Sequence, residues 1–236
     1  MKTKTRKLGG SETKFAYALL APSLILLVLL IGYPLIYNIV ISFQDVPLNP
    51  NMPSTFVGMK NFVDVFTDSS FYGSVLVTLL FTVIVTAIST ILGLLLAVFL
   101  NRQFFGKKIV NSIIILSYVV PSVCLIFTWR YMFNNIYGIV NYVVAFILVA
   151  IFAIWKFFPY AYISFNAILQ SMDNSLYEAA DIDGASNWEK FKAITYPAIK
   201  PTLVTVVSLR TIWVFYIYTE VYLLTKQVDV LGVYLY

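Results

Sequence analysis

Apolar residues form five long runs along the chain, and short polar segments separate them. A helix that crosses a bilayer needs roughly 20 predominantly apolar residues. Each run is long enough to cross and to tilt or extend beyond the hydrocarbon layer. The pattern predicts five membrane-spanning helices, at residues 15–43, 71–100, 109–133, 142–169 and 201–225.

Composition supports this interpretation. Of 236 residues, 60% are apolar and 11% are charged, whereas soluble domains have about 25% charged residues. We therefore expect an all-α membrane protein. The chain has no histidine and a single cysteine, Cys124, which leaves little material for zinc sites, histidine proton relays or disulfides. The first apolar run is too long for a signal peptide, so we expect it to remain as the first span.

Lysine and arginine cluster in three places. Five precede the first span, three lie in the loop NRQFFGKK, and three follow the acidic segment that ends near residue 190. Cytoplasmic segments carry an excess of these residues, and five spans with the N-terminus inside place all three clusters on that side. Residues 1–14 are then a cytoplasmic tail and residues 44–70 an extracytoplasmic loop.

The predicted outer loop has two parts. VPLNPNMP has no helical period, whereas GMKNFVDVFTD, residues 58–68, has apolar residues at 59, 62, 63 and 66. This spacing predicts a short helix lying in the membrane interface.

Small and hydroxylated residues recur along one face of the second span. Small residues at this spacing let helices approach closely, and hydroxyls can bond across the contact. A packing seam and a solute-lining surface both remain open. The residues are Ser74, Thr78, Thr82, Thr86, Ser89, Thr90, Gly93 and Ala97.

Two basic residues, Lys156 and Arg210, lie at membrane depth. Charges in a membrane are costly and often functional. Alternatively, Lys156 extends to the interface and Arg210 neutralises Glu220 or contacts a carbonyl oxygen. Arg210 and Glu220 are about 15 Å apart along a helix, so they cannot pair within one span.

Aromatic residues around these charges suit a sugar, because they combine flat apolar faces with hydrogen-bonding edges. An aromatic belt at the bilayer boundary has a similar pattern. We expect Trp213 and Tyr216 to face a cavity. The complete candidate solute pathway is Lys156, Tyr160, Arg210, Trp213, Tyr216, Tyr218 and Glu220.

An acidic segment follows the fourth span, with five acidic and no basic residues from Asp173 to Glu189. Ser175 with Glu178, and Ser186 with Glu189, have the spacing of capping boxes that begin helices. Gly184 stands where a left-handed residue ends a helix, and a proline at 197 would end the second helix. The pattern predicts helix, glycine turn, helix.

Neither helix is long enough to be stable alone in water, so each requires a packing partner. Ala179 and Ala180 give the first helix a close-approach surface, and Trp188, Phe191 and Thr195 give the second an anchoring face. Packing under the chain's own bundle and docking on a partner with a basic groove are both possible.

The stretch YEAADIDGAS, residues 177–186, with Trp188, Phe191 and a Tyr-Pro pair at 196–197, resembles the Glu-Ala-Ala loop of ABC importer permeases. Tyr196 departs from the leucine usual in that family. APSLILLVLLIGYPLIYNIVISF, FVGMKNF and TEVYLLT are similar to the carbohydrate-uptake branch, specifically its maltose/lactose-type first permease.

The resemblance implies a type I ABC importer transmembrane fold in the bacterial cytoplasmic membrane. Residues 71–236 would be its core and residues 171–197 its coupling helices, seated in a cleft of an ATPase subunit. Closure of the ATPase pair would then rock the spans between inward- and outward-facing states. The implied coupling residues are Glu178, Ala179, Ala180, Asp181, Gly184, Ala185, Trp188, Phe191 and Pro197.

The implied partners are a second related permease, two ATPase subunits, an extracytoplasmic solute-binding protein, the bilayer and a carbohydrate, with no nucleic acid. The chain lacks a GxxxxGK[ST] loop, so ATP and Mg would be used by the ATPase subunits, and the chain would bind no cofactor and catalyse no reaction.

Three alternatives remain beside an oligosaccharide importer. The same machinery could carry a glycerol phosphoester, or the chain could be a channel or a membrane-embedded enzyme. The family usually has a sixth core span, so we expect residues to be missing near 141–142 and after 225.

Overall fold

The computed structural model of the chain describes residues 10–47, 49, 51–102, 104–132, 142–217 and 219–224. These ranges contain eleven α-helices, two π-helical turns and one two-stranded ribbon. The α-helices are α1 (Gly10–Leu27), α2 (Tyr33–Ile41), α3 (Lys60–Thr67), α4 (Ser69–Leu100), α5 (Lys107–Val119), α6 (Ser122–Met132), α7 (Tyr142–Ser171), α8 (Ser175–Ile182), α9 (Asn187–Lys190), α10 (Tyr196–Phe215) and α11 (Thr219–Leu224). The π-helical turns are Val28–Gly32 and Phe191–Thr195, and the strands are β1 (Gln44–Asp45) and β2 (Thr55–Phe56).

Four helical stretches are long and apolar enough to cross a membrane: Thr13–Ile41, Ser69–Leu100, Phe146–Ser171 and Asn187–Phe215. The bent pair α5 and α6 makes a fifth candidate when it is counted as one span. The number of spans agrees with the five apolar runs, but the last span differs from the prediction. It begins earlier and ends at Phe215, and a break separates it from α11.

The third apolar run, predicted as a span at residues 109–133, consists of two helices, α5 and α6, that meet at 92°. Pro121 causes the bend. Proline disfavours a helical conformation in the residue before it, and Val120 is extended, with φ −63° and ψ 132°. The Leu125 N–H then donates to the Pro121 carbonyl oxygen at 3.2 Å and begins the next helix.

Contacts divide the chain into two units, residues 1–69 and 70–236. In the first unit, α1, a π-helical turn and α2 follow one another as a long apolar helix with no buried side chain in its most apolar window. The short helix predicted within residues 58–68 is confirmed as α3, and its position in the membrane interface stays a prediction. Its Asn61 amide donates to the carbonyl oxygens of Ser42 and Gln44, both at 3.0 Å.

The proline-rich loop also contains structure that its sequence did not predict. Gln44 pairs with Phe56 and Asp45 with Thr55 in a short antiparallel ribbon. Each strand has two residues, too few for an alternating pattern, and both residues of β2 are exposed. Hydrophobic periodicity therefore could not predict the ribbon.

The core of the second unit surrounds α7, which packs against α5 and α10 and is crossed by α4 at Gly93. Gly93 permits the close approach: a Cβ there would lie 2.6 Å from the Ala161 Cβ and 2.7 Å from the Tyr162 nitrogen. The predicted face of small residues on α4 is buried along its whole length. It is a packing seam, and its middle hydroxyls, those of Thr82, Thr86 and Thr90, have no hydrogen-bond partner within the described residues.

Two apolar clusters flank this crossing. One joins α4, α6, α7, α10 and α11 around Phe81, Phe152 and Val214. The other joins α4, α7 and α10 around Tyr162, Phe165 and Ile199.

Candidate functional site

The segment of residues 173–197, called the coupling segment below, begins with an acidic cap. The Asp173 carboxylate accepts the Ser175 N–H at 2.9 Å, and this bond lowers the pKa of Asp173. The predicted capping box at Ser175 is therefore wrong. Ser175 is already the first residue of α8, and the residue before it, Asn174, makes no side-chain cap. Ser175 and Glu178 have the spacing of the motif, but the N-cap position of α8 is Asn174, one residue before Ser175.

The glycine turn is confirmed. Gly184 has φ +73°, a left-handed conformation that glycine adopts without strain. Its N–H donates to the Asp181 carbonyl oxygen at 3.1 Å, and the Ala185 N–H donates to the Ala180 carbonyl oxygen at 2.9 Å. These two bonds make a Schellman motif, which satisfies the last carbonyl groups of α8.

The second capping box is also confirmed. The Ser186 N–H donates to the Glu189 carboxylate at 2.7 Å, and the Glu189 N–H donates to the Ser186 hydroxyl at 3.3 Å. The N–H groups of Ser186 and Glu189 thus both have partners within four residues, so the local sequence determines where α9 begins.

Two side-chain contacts close the pair of helices. Lys190 on α9 forms an ion pair with Asp181 on α8. The Tyr177 hydroxyl lies 2.8 Å from the Thr195 hydroxyl, which is buried. Of the predicted anchoring face, Thr195 therefore packs within the chain, as the alternative of packing under its own bundle expected.

Within the described residues, nothing covers the outer face of the coupling segment. Trp188 is 70% exposed and stacks on Phe191 with ring centres 5.6 Å apart. Glu178 and Ala179 are exposed, and Ala180 and Ala185 are half-buried. Apolar Leu176 and Ile182 are exposed on the same short helices. The segment thus offers an acidic and apolar surface of the kind that a partner protein covers.

The prediction that Pro197 ends the second helix is wrong. Residues Asn187–Phe215 form one continuous helical stretch. The π-helical turn Phe191–Thr195 precedes the proline, and the Tyr196 N–H donates to the Phe191 carbonyl oxygen five residues back. Proline collides with the carbonyl group four residues earlier in a regular α-helix, and one wider turn lets the helix pass through it.

The first span also has a π-helical turn directly before a Tyr-Pro pair. The Tyr33 N–H donates to the Val28 carbonyl oxygen, five residues back, and Pro34 follows. Both prolines come directly after a tyrosine. In the coupling segment, α9 is therefore continuous with the spanning helix α10.

The second candidate site lies where α10 meets α7. Arg210 is fully buried, and its Nη2 donates to the Phe157 carbonyl oxygen. Its guanidinium also lies 4.5 Å from the ring centre of Phe157, 5.0 Å from that of Tyr160 and 5.5 Å from that of Trp213. Arg210 thus contacts a carbonyl group and three aromatic rings, as one of the two interpretations expected.

Lys156 pairs with Glu220, and the sequence did not predict this pair. The two side chains are 14% and 16% exposed, and they join α7 to α11. Residues 64 positions apart give no local pattern, so only the fold brings them together. Lys156, Glu220 and Arg210 are called the charged cluster below. Glu220 balances Lys156, and among the described residues Arg210 has no acidic partner.

The remaining predicted pathway residues are distributed differently. Trp213 packs edge-on against Tyr160, with ring centres 5.1 Å apart. Tyr216 is 79% exposed, and its ring contacts Phe215 on the same helix. Tyr218 lies outside the described residues. Within the described ranges, no cluster of three or more cysteine and acidic side chains could hold a metal ion.

Comparison with known proteins agrees with this architecture. Residues 89–235 match the model of the family described as "Binding-protein-dependent transport system inner membrane component". The chain is 53% identical to the inner membrane ABC transporter permease protein YcjO of Escherichia coli, over 97% of this chain and 84% of that protein. It is 34% identical to the trehalose/maltose transport system permease protein MalF of Thermococcus litoralis, over 94% and 80% of the two chains.

A solved structure resembles the whole chain. It is the crystal structure of a bacterial ABC transporter involved in the import of the acidic polysaccharide alginate, with a TM-score of 0.76, 23% identity and coverage of 94% of this chain and 82% of that chain. The fold is therefore that of an ABC importer transmembrane subunit. The chain belongs to the family of binding-protein-dependent transport system inner membrane components.

Proposed function

We propose that this chain is one of two permease subunits of an ATP-driven importer that moves an oligosaccharide into the cytoplasm by alternating access. The observation that carries the proposal is the coupling segment. Two capped helices joined by a left-handed glycine present an uncovered face and continue directly into a spanning helix. A channel has no need for such a lever.

The family of the chain and the uncovered face of the coupling segment support the following partners. The chain lacks a phosphate-binding loop of the GxxxxGK[ST] type, so two ATPase subunits would supply the energy, using ATP and Mg. One of them would cover Trp188 and the acidic surface of α8. A second, related permease would complete the pore, and an extracytoplasmic binding protein would deliver the solute. The N-terminus and the coupling segment would lie in the cytoplasm.

Sugar is the proposed cargo because the relative at 34% identity is a trehalose/maltose permease. The charges of this chain favour an uncharged sugar over a glycerol phosphoester. Glu220 balances Lys156, and Arg210 is buried under three aromatic rings. The edge-on pair of Tyr160 and Trp213 offers apolar ring faces and polar edges suited to a sugar.

The experiment is reconstitution of the chain with its neighbouring subunits in proteoliposomes. We expect ATP-dependent uptake of radiolabelled maltose or trehalose, and no uptake of glycerol 3-phosphoesters. Trp213→Ala should lower uptake at unchanged protein level. Uptake without ATPase subunits would contradict the proposal, and preferential uptake of the phosphoester would contradict its cargo.

A second measurement tests the docking face. Trp188→Ala should lower copurification of the ATPase subunits, because a tryptophan that a partner protein covers is a frequent anchor of protein interfaces. Phe56→Ala is the matched control, since Phe56 is 78% exposed but lies in the predicted outer loop. Equal copurification of both variants with wild type would place the ATPase elsewhere.

A further inference from the structure

A cavity of about 1080 Å³ lies between the loop that joins α4 to α5 and the end of α7. Its wall includes Phe104, Phe105, Lys107, Lys108 and Asn111. The cavity, called the α4–α5 cavity below, is separate from the charged cluster, since none of the predicted pathway residues lines it. It lies where α4 ends, α5 begins and α7 ends.

The wall of the α4–α5 cavity is positively charged. It contains two lysines, several amides and no acidic residue among the described residues that line it. Lys107 donates to the Asn101 carbonyl oxygen at 3.0 Å, which holds its side chain at the wall. The neighbouring cavity of about 370 Å³ differs, because Asp181 lines it together with Lys190 and pairs with it. The larger cavity therefore favours an anion.

Asn111 adds a fixed polar group to this wall. Its amide oxygen accepts the Tyr162 hydroxyl at 2.5 Å, and Tyr162 is buried in the core. The bond occupies the oxygen of the amide and leaves its nitrogen as the group that can donate. Cationic and amide donors together are the groups that bind phosphate oxygens.

Apolar side chains continue from the cavity along α5. Ile109, Ile113 and Leu116 are all exposed, and their spacing places them on one face of the helix. Phe105, at the cavity rim, is fully exposed. A cationic cavity next to a continuous apolar face matches a molecule with an anionic head and hydrocarbon chains more closely than it matches a free anion.

We infer that the α4–α5 cavity binds the headgroup of an anionic phospholipid, with its acyl chains lying along α5 beside Phe105. Basic cavities between helices at the cytoplasmic side of a membrane recognise such headgroups. The assignment to the cytoplasmic leaflet rests on the orientation in the proposed function, whereas the binding itself does not. A bound lipid would hold the α4–α5 loop at a constant depth beside the coupling segment.

Native mass spectrometry of the full-length chain, purified in a non-ionic detergent with the subunits that copurify, tests this inference. The probes are dioctanoyl phosphatidylglycerol, dioctanoyl phosphatidylcholine and inorganic phosphate. We expect retention of phosphatidylglycerol only. In the variant Lys107→Gln/Lys108→Gln, binding of that lipid should weaken about 30-fold, at roughly 1 kcal/mol for each lysine near an anionic surface.

The matched control is Lys192→Gln/Lys200→Gln, which removes the same charge from exposed lysines outside the cavity and should retain the lipid as wild type does. Phe105→Ala should weaken retention of phosphatidylglycerol without affecting assembly. Equal retention by both double variants would overturn the inference. Binding of inorganic phosphate as tight as that of the lipid would identify a free-anion site and overturn it as well.

ATP-dependent uptake, measured on the same preparations, separates this inference from the proposed function. Wild-type transport together with undiminished lipid retention in Lys107→Gln/Lys108→Gln would reject the lipid site alone. Specific lipid retention in a preparation that transports no sugar would reject the importer proposal alone.

Discussion

The coupling segment and the charged cluster are both polar regions in an apolar chain, yet opposite kinds of interaction build them. The coupling segment is held by contacts between residues close in sequence, three apart at the Ser186–Glu189 cap and nine apart at the Lys190–Asp181 pair. In the charged cluster, Lys156 and Glu220 are 64 residues apart, and Arg210 is 53 residues from Phe157.

This difference has consequences for function. Because these contacts join residues close in sequence, we expect the glycine turn and the Ser186–Glu189 cap to persist when the packing of the bundle changes. The charged cluster exists only while α7, α10 and α11 are packed together. Substitutions in the cluster should therefore affect the folded bundle, whereas substitutions in the coupling segment should affect transmission more than folding.

The largest effect is expected at the ion pair. Lys156→Met leaves Glu220 charged and poorly solvated, and breaking such a pair costs about 3 kcal/mol or more. Thermal unfolding of the detergent-purified chain, followed by size-exclusion chromatography, measures the loss. In the double variant Lys156→Met/Glu220→Leu most of the stability should return. Simple addition of the two single losses would show that the residues do not interact.

The α4–α7 crossing gives the next effect. Gly93→Ala places a Cβ within 3 Å of α7 backbone atoms, and overpacking of this kind costs about 1–3 kcal/mol. Gly73→Ala, on the same helix with open space around its Cβ, is the control and should be neutral or slightly stabilising. The same unfolding assay compares them, and equal stability would contradict the close crossing.

Gly184 should show the separation between transport and folding. Gly184→Val forces a β-branched residue into a left-handed conformation, at a cost of about 1–2 kcal/mol confined to the turn. We expect uptake to fall strongly while the variant remains in the membrane at a normal level. Gly184→Asn, which tolerates this conformation, should retain most uptake. Normal uptake by the valine variant would argue against the lever.

The smallest effect distinguishes the two serines. Ser186→Ala removes a cap and should destabilise the start of α9 by about 1 kcal/mol, seen as faster hydrogen exchange in α9. Ser175→Ala, at a position that makes no cap, should leave exchange in α8 unchanged. If the two variants behaved alike, the capping box at Ser186 would have no measurable energy.

Prediction from sequence succeeded where chemistry is local. Gly184 and the Ser186–Glu189 box follow from short-range rules, and the burial of the small face of α4 follows from its spacing. It failed at Ser175 because the Asp173 carboxylate accepts the Ser175 N–H, which Glu178 would accept in a capping box. It also failed at Pro197, because a π-helical turn lets the helix continue and no residue pattern identifies that turn.

The amino-acid order by itself determined that the chain crosses a membrane about five times, carries two short helices joined by a glycine turn and belongs with importer permeases. These properties depend on apolar length, short-range hydrogen bonds and a nearly contiguous motif. Only the tertiary structure decided that Lys156 meets Glu220, that three aromatic rings cover Arg210, and that α9 continues into α10. Such contacts join distant residues or require a change of helical register, and neither leaves a periodic trace along the chain.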